Sequence, residues 1–385
     1  MARGDDTDGA LRIELTAGLT VPAAADVAWD DLAAASSSAN IFYEPWLARA
    51  AAVLPEAGGP MVLMAWIDAP AAPPRLAGLL VLQRRAGWGG RIGVAVQNWD
   101  QRARALGEPL VRAGYEHAFW QAALDFLGQR RRMGHYLRLS ALIADSPSTR
   151  ALHDVLAARK RHATVTRSFE RALLCGGSSS AEYIGANIRK KVLKEQRRLR
   201  NRLEEQGGLV FDQLAPAAAI DPWIDELFRL EMSGWKGREG VAAAADVATE
   251  RCFRAVLRAA HERRRLDFRR LSVGGRTIAL LANIEAGDTA FQLKIAYDED
   301  YAAFSPGVLI EMDYLDYALD TRRLARVDSC ARPNHPMIDR IWADRLPIVS
   351  LAVPFDRWSS RLACAAIDTL RKLRDKRARP VATDC

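Results

Sequence analysis

The chain has little of what builds metal centres or cross-linked scaffolds. Its five cysteines, Cys175, Cys252, Cys330, Cys364 and Cys385, are scattered, odd in number and form no CxxC pair. That excludes a disulfide framework and a zinc-ribbon type of site. The six histidines are equally dispersed and include no HExxH, so no metal is expected. No stretch reaches the roughly 18 consecutive apolar residues that cross a bilayer. The polar start, Met1-Ala-Arg-Gly-Asp-Asp, lacks the apolar core of a signal peptide. The expected location is therefore cytoplasmic, with peripheral contact to the inner membrane left open.

What is present is an ordinary globular composition, 49% hydrophobic and 26% charged over 385 residues. Two domains of about 170–190 residues each would accommodate it. The formal net charge of +8 favours anionic partners: a CoA phosphate, an anionic membrane surface or nucleic acid.

Both halves read as alternating strands and helices in one repeated order. In the first half, residues 61–67, 76–83 and 92–99 predict buried strands. A helix at about 115–127 and a strand at 135–140 follow. In the second half, strands are expected at 266–273, 277–284 and 290–296, with Gly274-Gly275 as a two-residue hairpin turn between the first two. A helix opens after Ser305-Pro306-Gly307 and runs to about Leu319, and the strand 326–330 follows. Ala69 to Pro74 reads as an exposed hairpin loop and Gly176 to Ser180 as a flexible joint. A last helix is expected at about 358–376, ending in a basic tail.

The sharpest local pattern runs from Phe291 to Ile310: an apolar strand, a polar loop, then a helix start. Ser305 suits an N-cap, Pro306 the first helical turn, and Gly307 close approach of a ligand to the backbone. Free N–H groups at such a start, with the helix dipole, favour a pyrophosphate. An ordinary well-capped helix is the plain alternative. Lys294, in an otherwise apolar strand, should face a cavity or an anionic partner.

The run Lys294-Ile-Ala-Tyr297, Tyr301 and Ser305-Pro306-Gly307-Val308-Leu309 resembles the signature of GNAT acyltransferases of the cellulose-biosynthesis acetyltransferase-like type. More distantly it is similar to the FemAB aminoacyltransferases. Asn187-Ile-Arg-Lys-Lys-Val-Leu193 with Arg197-Arg198-Leu199 resembles the first-helix motif of that family. Glu231-Met-Ser-Gly-Trp235-Lys236-Gly-Arg-Glu-Gly240 resembles its Trp-Lys segment. The resemblance covers about residues 165–350. It implies an α/β fold of two tandem GNAT-like domains with mixed sheets: 1–165 degenerate, 166–356 carrying an acyl-CoA site, and 357–385 a helix with a basic tail.

The resemblance further implies acyl-CoA as donor, held by Lys294, Tyr301, Ser305, Pro306, Gly307 and Val308. The chain departs from the usual glycine-rich loop, keeping only Gly307 with Ser305 and Pro306. In the first half only Leu106-Gly-Glu-Pro109 stands at the corresponding place, where Glu108 would repel a pyrophosphate. Amide formation requires an acceptor for the amine proton, a donor to the carbonyl oxygen and a proton for the thiolate. Asp328, His335 and Glu311 are the candidate bases, and Tyr297 or Tyr301 a candidate acid. Trp235, Lys236 and Glu311 are assigned to the substrate, the indole and cation suiting stacking or pairing. Each has a plain structural alternative: a strand-end carboxylate, a loop histidine, packed tyrosines, a helix end with a buried indole.

From Asn187 to Gln206 the chain carries eight cations and three glutamates, with Ile188, Val192, Leu199 and Leu203 at helical spacing. A solvated helix, an anionic membrane surface and nucleic acid are the three readings. The last has no RNA-stacking motif behind it. The expected function is N-acyl transfer from acyl-CoA to an amine, with a sphingoid-type long-chain amine, as for bacterial ceramide synthases, one specific acceptor. Alternatives are acetylation of a sugar or polysaccharide precursor, tRNA-dependent aminoacyl transfer, and a non-catalytic scaffold.

Overall fold

A computed structural model describes residues 11–55, 58–69, 72–88 and 92–378. The chain divides into two compact units, residues 1–169 with 347–385, and residues 170–346. The division expected from the sequence ran at 165/166 and 356/357. In the structure both boundaries fall inside strands.

The first unit begins with β1 (Arg12–Ala17), α1 (Ala23–Ala35) and α2 (Pro45–Ala51). Then come the strands β2 (Met61–Ala69), β3 (Ala72–Trp88), β4 (Ile92–Asn98) and the short β5 (Leu110–Val111). Ala72 to Pro74, expected in a loop, already belong to β3, because Ala69 pairs with Ala72 and only two residues remain to turn. Those two lie outside the described residues. Next are α3 (Glu116–Gln129), β6 (Tyr136–Ile143) and α4 (Pro147–Ala158). Strands β2, β3 and β4 are antiparallel, and β4 then pairs parallel with β6 across the α3 crossover. The unit buries Trp29, Leu63, Leu80, Phe119 and Trp120 completely.

Strand β7 (Thr164–Cys175) leads into the second unit. There α5 (Ser180–Asn187), α6 (Lys190–Glu204), β8 (Leu209–Gln213), α7 (Asp221–Ser233), α8 (Trp235–Arg238) and α9 (Val247–Glu262) precede β9 (Leu266–Val273). β10 (Arg276–Ala286), β11 (Thr289–Tyr297), α10 (Pro306–Asp316) and β12 (Arg326–Asp328) complete it. Strand order is β7-β12-β11-β10-β9-β8. Again three antiparallel strands, a crossover helix and one parallel pair, β11 with β12, follow in sequence. The two halves thus share the expected α/β order. Gly274 and Gly275, with φ of 56° and 80°, turn the β9–β10 hairpin as a primed turn requires. The core packs Leu271, Ile278, Leu281, Ile310, Tyr314 and Trp342.

The segment 176–180 lies inside this unit rather than between units. Ser179 and Glu182 form a reciprocal capping box at the start of α5, and Ser180 Oγ donates to Asp320 at 2.6 Å. Finally β13 (Asp344–Pro354) and α11 (Trp358–Ala378) close the chain. β13 pairs antiparallel with β6, so the C-terminal segment returns to the first unit. The expected tail beyond residue 378 lies outside the described residues. Among the described residues no helix is long and apolar enough to cross a membrane, and no group of His, Cys, Asp and Glu could hold a metal.

Candidate active site

The parallel strands β11 and β12 part company early. Their register ends at Phe291 opposite Asp328, while β11 runs on to Tyr297. At the same place the ladder of β11 with β10 slips: Ala282 faces Lys294 and Asn283 faces Gln292. Leu293 is the extra residue of a β-bulge, the kind of irregularity that frees a backbone group from the ladder and re-aims it. A cleft of about 170 Å³ opens there, lined by Gln292, Leu293, Lys294, Ile295, Ser329, Cys330, Ala331, His335, Met337, Ile338 and Lys236. A smaller adjoining hollow is lined by Trp235, Lys236, Ile295, Tyr297 and Glu299 among others.

Lys294 and Lys236 enter the cleft tied to one carboxylate. Lys294 Nζ donates to Glu231 Oε1 at 2.8 Å, and Lys236 Nζ donates to the same oxygen at 3.1 Å. Lys294 also reaches Oε2 at 3.2 Å, and the backbone N–H of Ala243 donates to that oxygen at 2.8 Å. Glu231 is buried on α7. Burial pushes its carboxyl up, yet the Lys294 and Lys236 ammoniums outweigh burial and hold it below the usual carboxylate range. Burial pulls the Lys294 ammonium down, against the opposing pull of Glu231. Lys236 also donates to the Ile295 carbonyl at 3.0 Å. Two of its three donors are thus engaged among the described residues. The expectation that Lys294 faces either a cavity or an anion is met on both counts.

Glu311, on α10, is fully buried behind the cleft. Gln292 Nε2 donates to its Oε1, and its Oε2 has no partner among the described residues. With no cation beside it, burial pushes its carboxyl up to about 8, so it is largely protonated at neutral pH. Glu311 thus holds the Gln292 side chain by its nitrogen, and Gln292 is among the residues that line the cleft.

Asp328 stands just beneath the parting strands, but both its oxygens are engaged. Arg171 donates to Oδ2, and the backbone N–H of Cys330 to Oδ1 at 2.9 Å. It anchors the strand end and is not among the residues lining the cleft. His335 does line it. Its Nδ1 lies 3.4 Å from the N–H groups of both Met337 and Ile338. These contacts favour the tautomer with the hydrogen on Nε2. Burial lowers the imidazole from its ordinary value, so the ring is neutral at pH 7.

The helix start differs from expectation in one respect. Ser305 sits at the N-cap position with φ 52° and ψ 53°, and its side chain makes no cap bond. The left-handed backbone turns the hydroxyl away from the first helical N–H groups, and the Ser305 carbonyl instead accepts from Val308 and Leu309. Pro306 is buried at the first helical turn. A Cβ on Gly307 would come within 2.9 Å of Met337 Sδ and 3.7 Å of Tyr297. The glycine is thus explained by packing against the cleft wall as well as by ligand approach. Val308 packs on the core. Tyr301 packs against Phe304, with Arg276 over its ring at 5.3 Å. Arg202 of α6 lies over Phe304, 5.4 Å from the ring. Trp235 is exposed rather than a buried helix end, because Glu299 fixes its backbone N–H at 2.6 Å and leaves the indole outside.

The structure therefore gathers Lys236, Lys294, His335, Tyr297 and Trp235 around adjoining hollows and places Gly307 against their wall. It sets Asp328 and Glu311 behind. Glu231, Gln292 and the Leu293 bulge are the participants that sequence reasoning missed. In the first unit, Glu108 is buried and accepts from the Ile143 N–H at 3.1 Å and from Ser146 Oγ.

Residues 190–335 match the family model described as an acetyltransferase (GNAT) domain. Among solved structures, the chain is similar to FemX (8% identity, covering 91% of this chain and 99% of that one, TM-score 0.59). It is also similar to a conserved protein of unknown function from Bacteroides thetaiotaomicron (13%, 86% and 98%, 0.52). A third similar structure is L-PGS from Bacillus licheniformis (11%, 88% and 96%, 0.50). At such identities the likeness is one of fold. No curated protein matches the chain by sequence.

Proposed function

We propose that the second unit transfers an acyl group from a CoA thioester to an amine in the cleft between β11 and β12. The observation that carries this reading is the bulge at Leu293, set where the two parallel strands separate. A backbone N–H released from the ladder at that point is a pre-organised donor for a thioester carbonyl oxygen as it gains charge. At the start of α10 Pro306 has no N–H and the Ser305 and Val308 N–H groups are held by carbonyls, so the Gly307 N–H and the helix dipole, with Arg202 beside Phe304, are what it offers to the donor's phosphates.

The amine nitrogen attacks the thioester carbon as the free base. A C–N bond forms, the C–S bond breaks, the amine proton passes to water and the sulfur leaves as thiolate. Gln292, held by Glu311, accepts from the amine N–H and orients its lone pair. His335, neutral, donates from Nε2 to the departing sulfur. Lys236 and Lys294 are positioning groups that keep the cleft cationic. In this reading Asp328 braces the strand end and takes no proton. The apolar wall of Leu293, Ile295, Met337 and Ile338, beside the two lysines, suits an amine with an aliphatic part, such as a sphingoid-type base.

The fold shared with FemX supports a second reading, in which the donor is an aminoacyl-tRNA. Thermal stability measured against CoA thioesters from acetyl to palmitoyl, with free CoA as control, separates the two. A midpoint that rises with chain length supports the first. No shift at millimolar thioester, together with salt-sensitive binding of aminoacyl-tRNA, would replace it by the second. If His335 acts as a donor, His335→Gln should keep most of the turnover, whereas His335→Ala should lose about a hundredfold. Equal loss in both would make the imidazole a base instead.

A further inference from the structure

Helix α11 has two apolar faces where a surface helix needs one. Its inner face buries Ser360, Cys364 and Ile367 against Ala95, Tyr136 and Ala352. With successive residues turned by about 100°, Trp358, Leu362, Ala366, Thr369 and Leu373 form a second stripe on the opposite side. The structure leaves that stripe in solvent: Trp358 is 76% exposed, Leu362 61% and Leu373 51%. Ala365 and Ala366, between them, are exposed as well. Exposure of one large apolar side chain is unremarkable, but a stripe along about 23 Å of helix marks a surface made to be covered.

The sequence around the stripe is predominantly basic, although Asp368 pairs with Arg371 at 3.3 Å. From Arg371 to Arg379 there are six lysines and arginines and a single acidic residue, Asp375, and Arg361 is exposed beside Leu362. A second copy of the chain laid antiparallel on this face would cover the apolar side chains but bring no counter-charge to either basic end. A nucleic acid would match the cations but not Trp358, Leu362 and Leu373. A surface that is apolar below and anionic above matches both.

We propose that α11 is an interfacial helix that lies on a bilayer rich in anionic phospholipid. Its Trp358–Leu373 stripe sinks among the acyl chains, and its basic end pairs with headgroup phosphates. Apolar burial and headgroup attraction add in such a helix, and the tryptophan sits at the level of the headgroups.

The test is flotation of the full chain with phosphatidylglycerol-rich vesicles and with pure phosphatidylcholine vesicles. A triple variant, Trp358→Ser, Leu362→Ser and Leu373→Ser, is run alongside. The wild-type chain is expected to float with the anionic vesicles and to be released by high salt. Partition into phosphatidylcholine should be weaker by more than about tenfold. The triple variant should lose a comparable factor while its thermal midpoint stays near wild type, because all three side chains are exposed. Equal flotation of the variant would overturn the proposal, as would a wild-type chain that floats with neither vesicle. A concentration-dependent dimer abolished by the same substitutions, with no vesicle binding, would assign the stripe to a second copy instead.

Discussion

At the level of single residues, the cleft's chemistry depends on how buried charges are matched. Glu231 stands between two ammonium groups, with Lys294 at 2.8 Å and Lys236 at 3.1 Å. Replacing it by glutamine leaves both cations without a counter-charge, one of them largely buried. Glu231→Gln should therefore cost about 3–5 kcal/mol of folding stability, read as a fall in the urea midpoint. A loss below about 1 kcal/mol would mean that Glu231 is not what holds the lysines. Glu311 is the opposite case, a buried carboxyl with no cation. Below about pH 4.5, its ordinary value, folded and unfolded chains both carry the proton; between there and about pH 8 only the folded chain does. Stability should thus fall as pH rises through that window, by about 5 kcal/mol at most. Glu311→Gln should abolish that fall, so that the variant overtakes the wild type toward pH 8 and converges with it toward pH 4.5. Thermal midpoints across the range check this, and parallel curves for the two proteins would refute it.

Among the elements, the turn from α7 into α8 is the tightest constraint near the cleft. A Cβ on Gly237 would fall 1.9 Å from the Met232 carbonyl oxygen, and no side-chain rotation relieves a clash with backbone. Gly237→Ala should force α8 away from α7 and disturb Lys236, costing more than about 2 kcal/mol. Gly307→Ala meets only the flexible Met337 side chain and should cost less. Comparing the two midpoints tests the distinction. Strands β2, β3, β4, β6 and β9 to β12 were legible because apolar runs and the Gly274-Gly275 turn mark them locally, whereas β1, β7, β8 and β13 were not read from the sequence. The helix start at Pro306 was legible too, although the left-handed Ser305 replaces the expected cap with a carbonyl contact. Glu231 was not, since α7 reads as an ordinary amphipathic helix and its burial is set by Lys294, 63 residues along the chain. The bulge at Leu293 carries no glycine or proline to announce it, and the Gln292–Glu311 pair exists only once α10 packs against β11. Long-range partners decide these three features.

For the molecule as a whole, the order of the chain and the order of its parts differ. The last segment belongs to the first unit: β13 pairs with β6 from Ile348 opposite Ile143 to Pro354 opposite Tyr136. Helix α11 covers Ala95, Tyr136 and Ala352 from one face. A fragment ending at residue 165 would therefore keep β1 to β6 yet leave a long edge of β6 unpaired, with Ala95 and Tyr136 uncovered. An open apolar edge of that kind promotes association. The fragment 1–165 should be aggregation-prone and should lack the near-ultraviolet circular dichroism of fixed aromatic packing. Joining residues 347–378 to residue 169 through a flexible linker should restore a cooperative unfolding transition, because it returns both the missing strand and the covering helix. Cooperative unfolding of 1–165 alone, at the midpoint of the linked form, would show that β13 and α11 add nothing to the first unit's stability. Failure of the linked form to fold, with the fragment also unfolded, would show that the first unit depends on residues 170–346 for more than the connection between its two pieces.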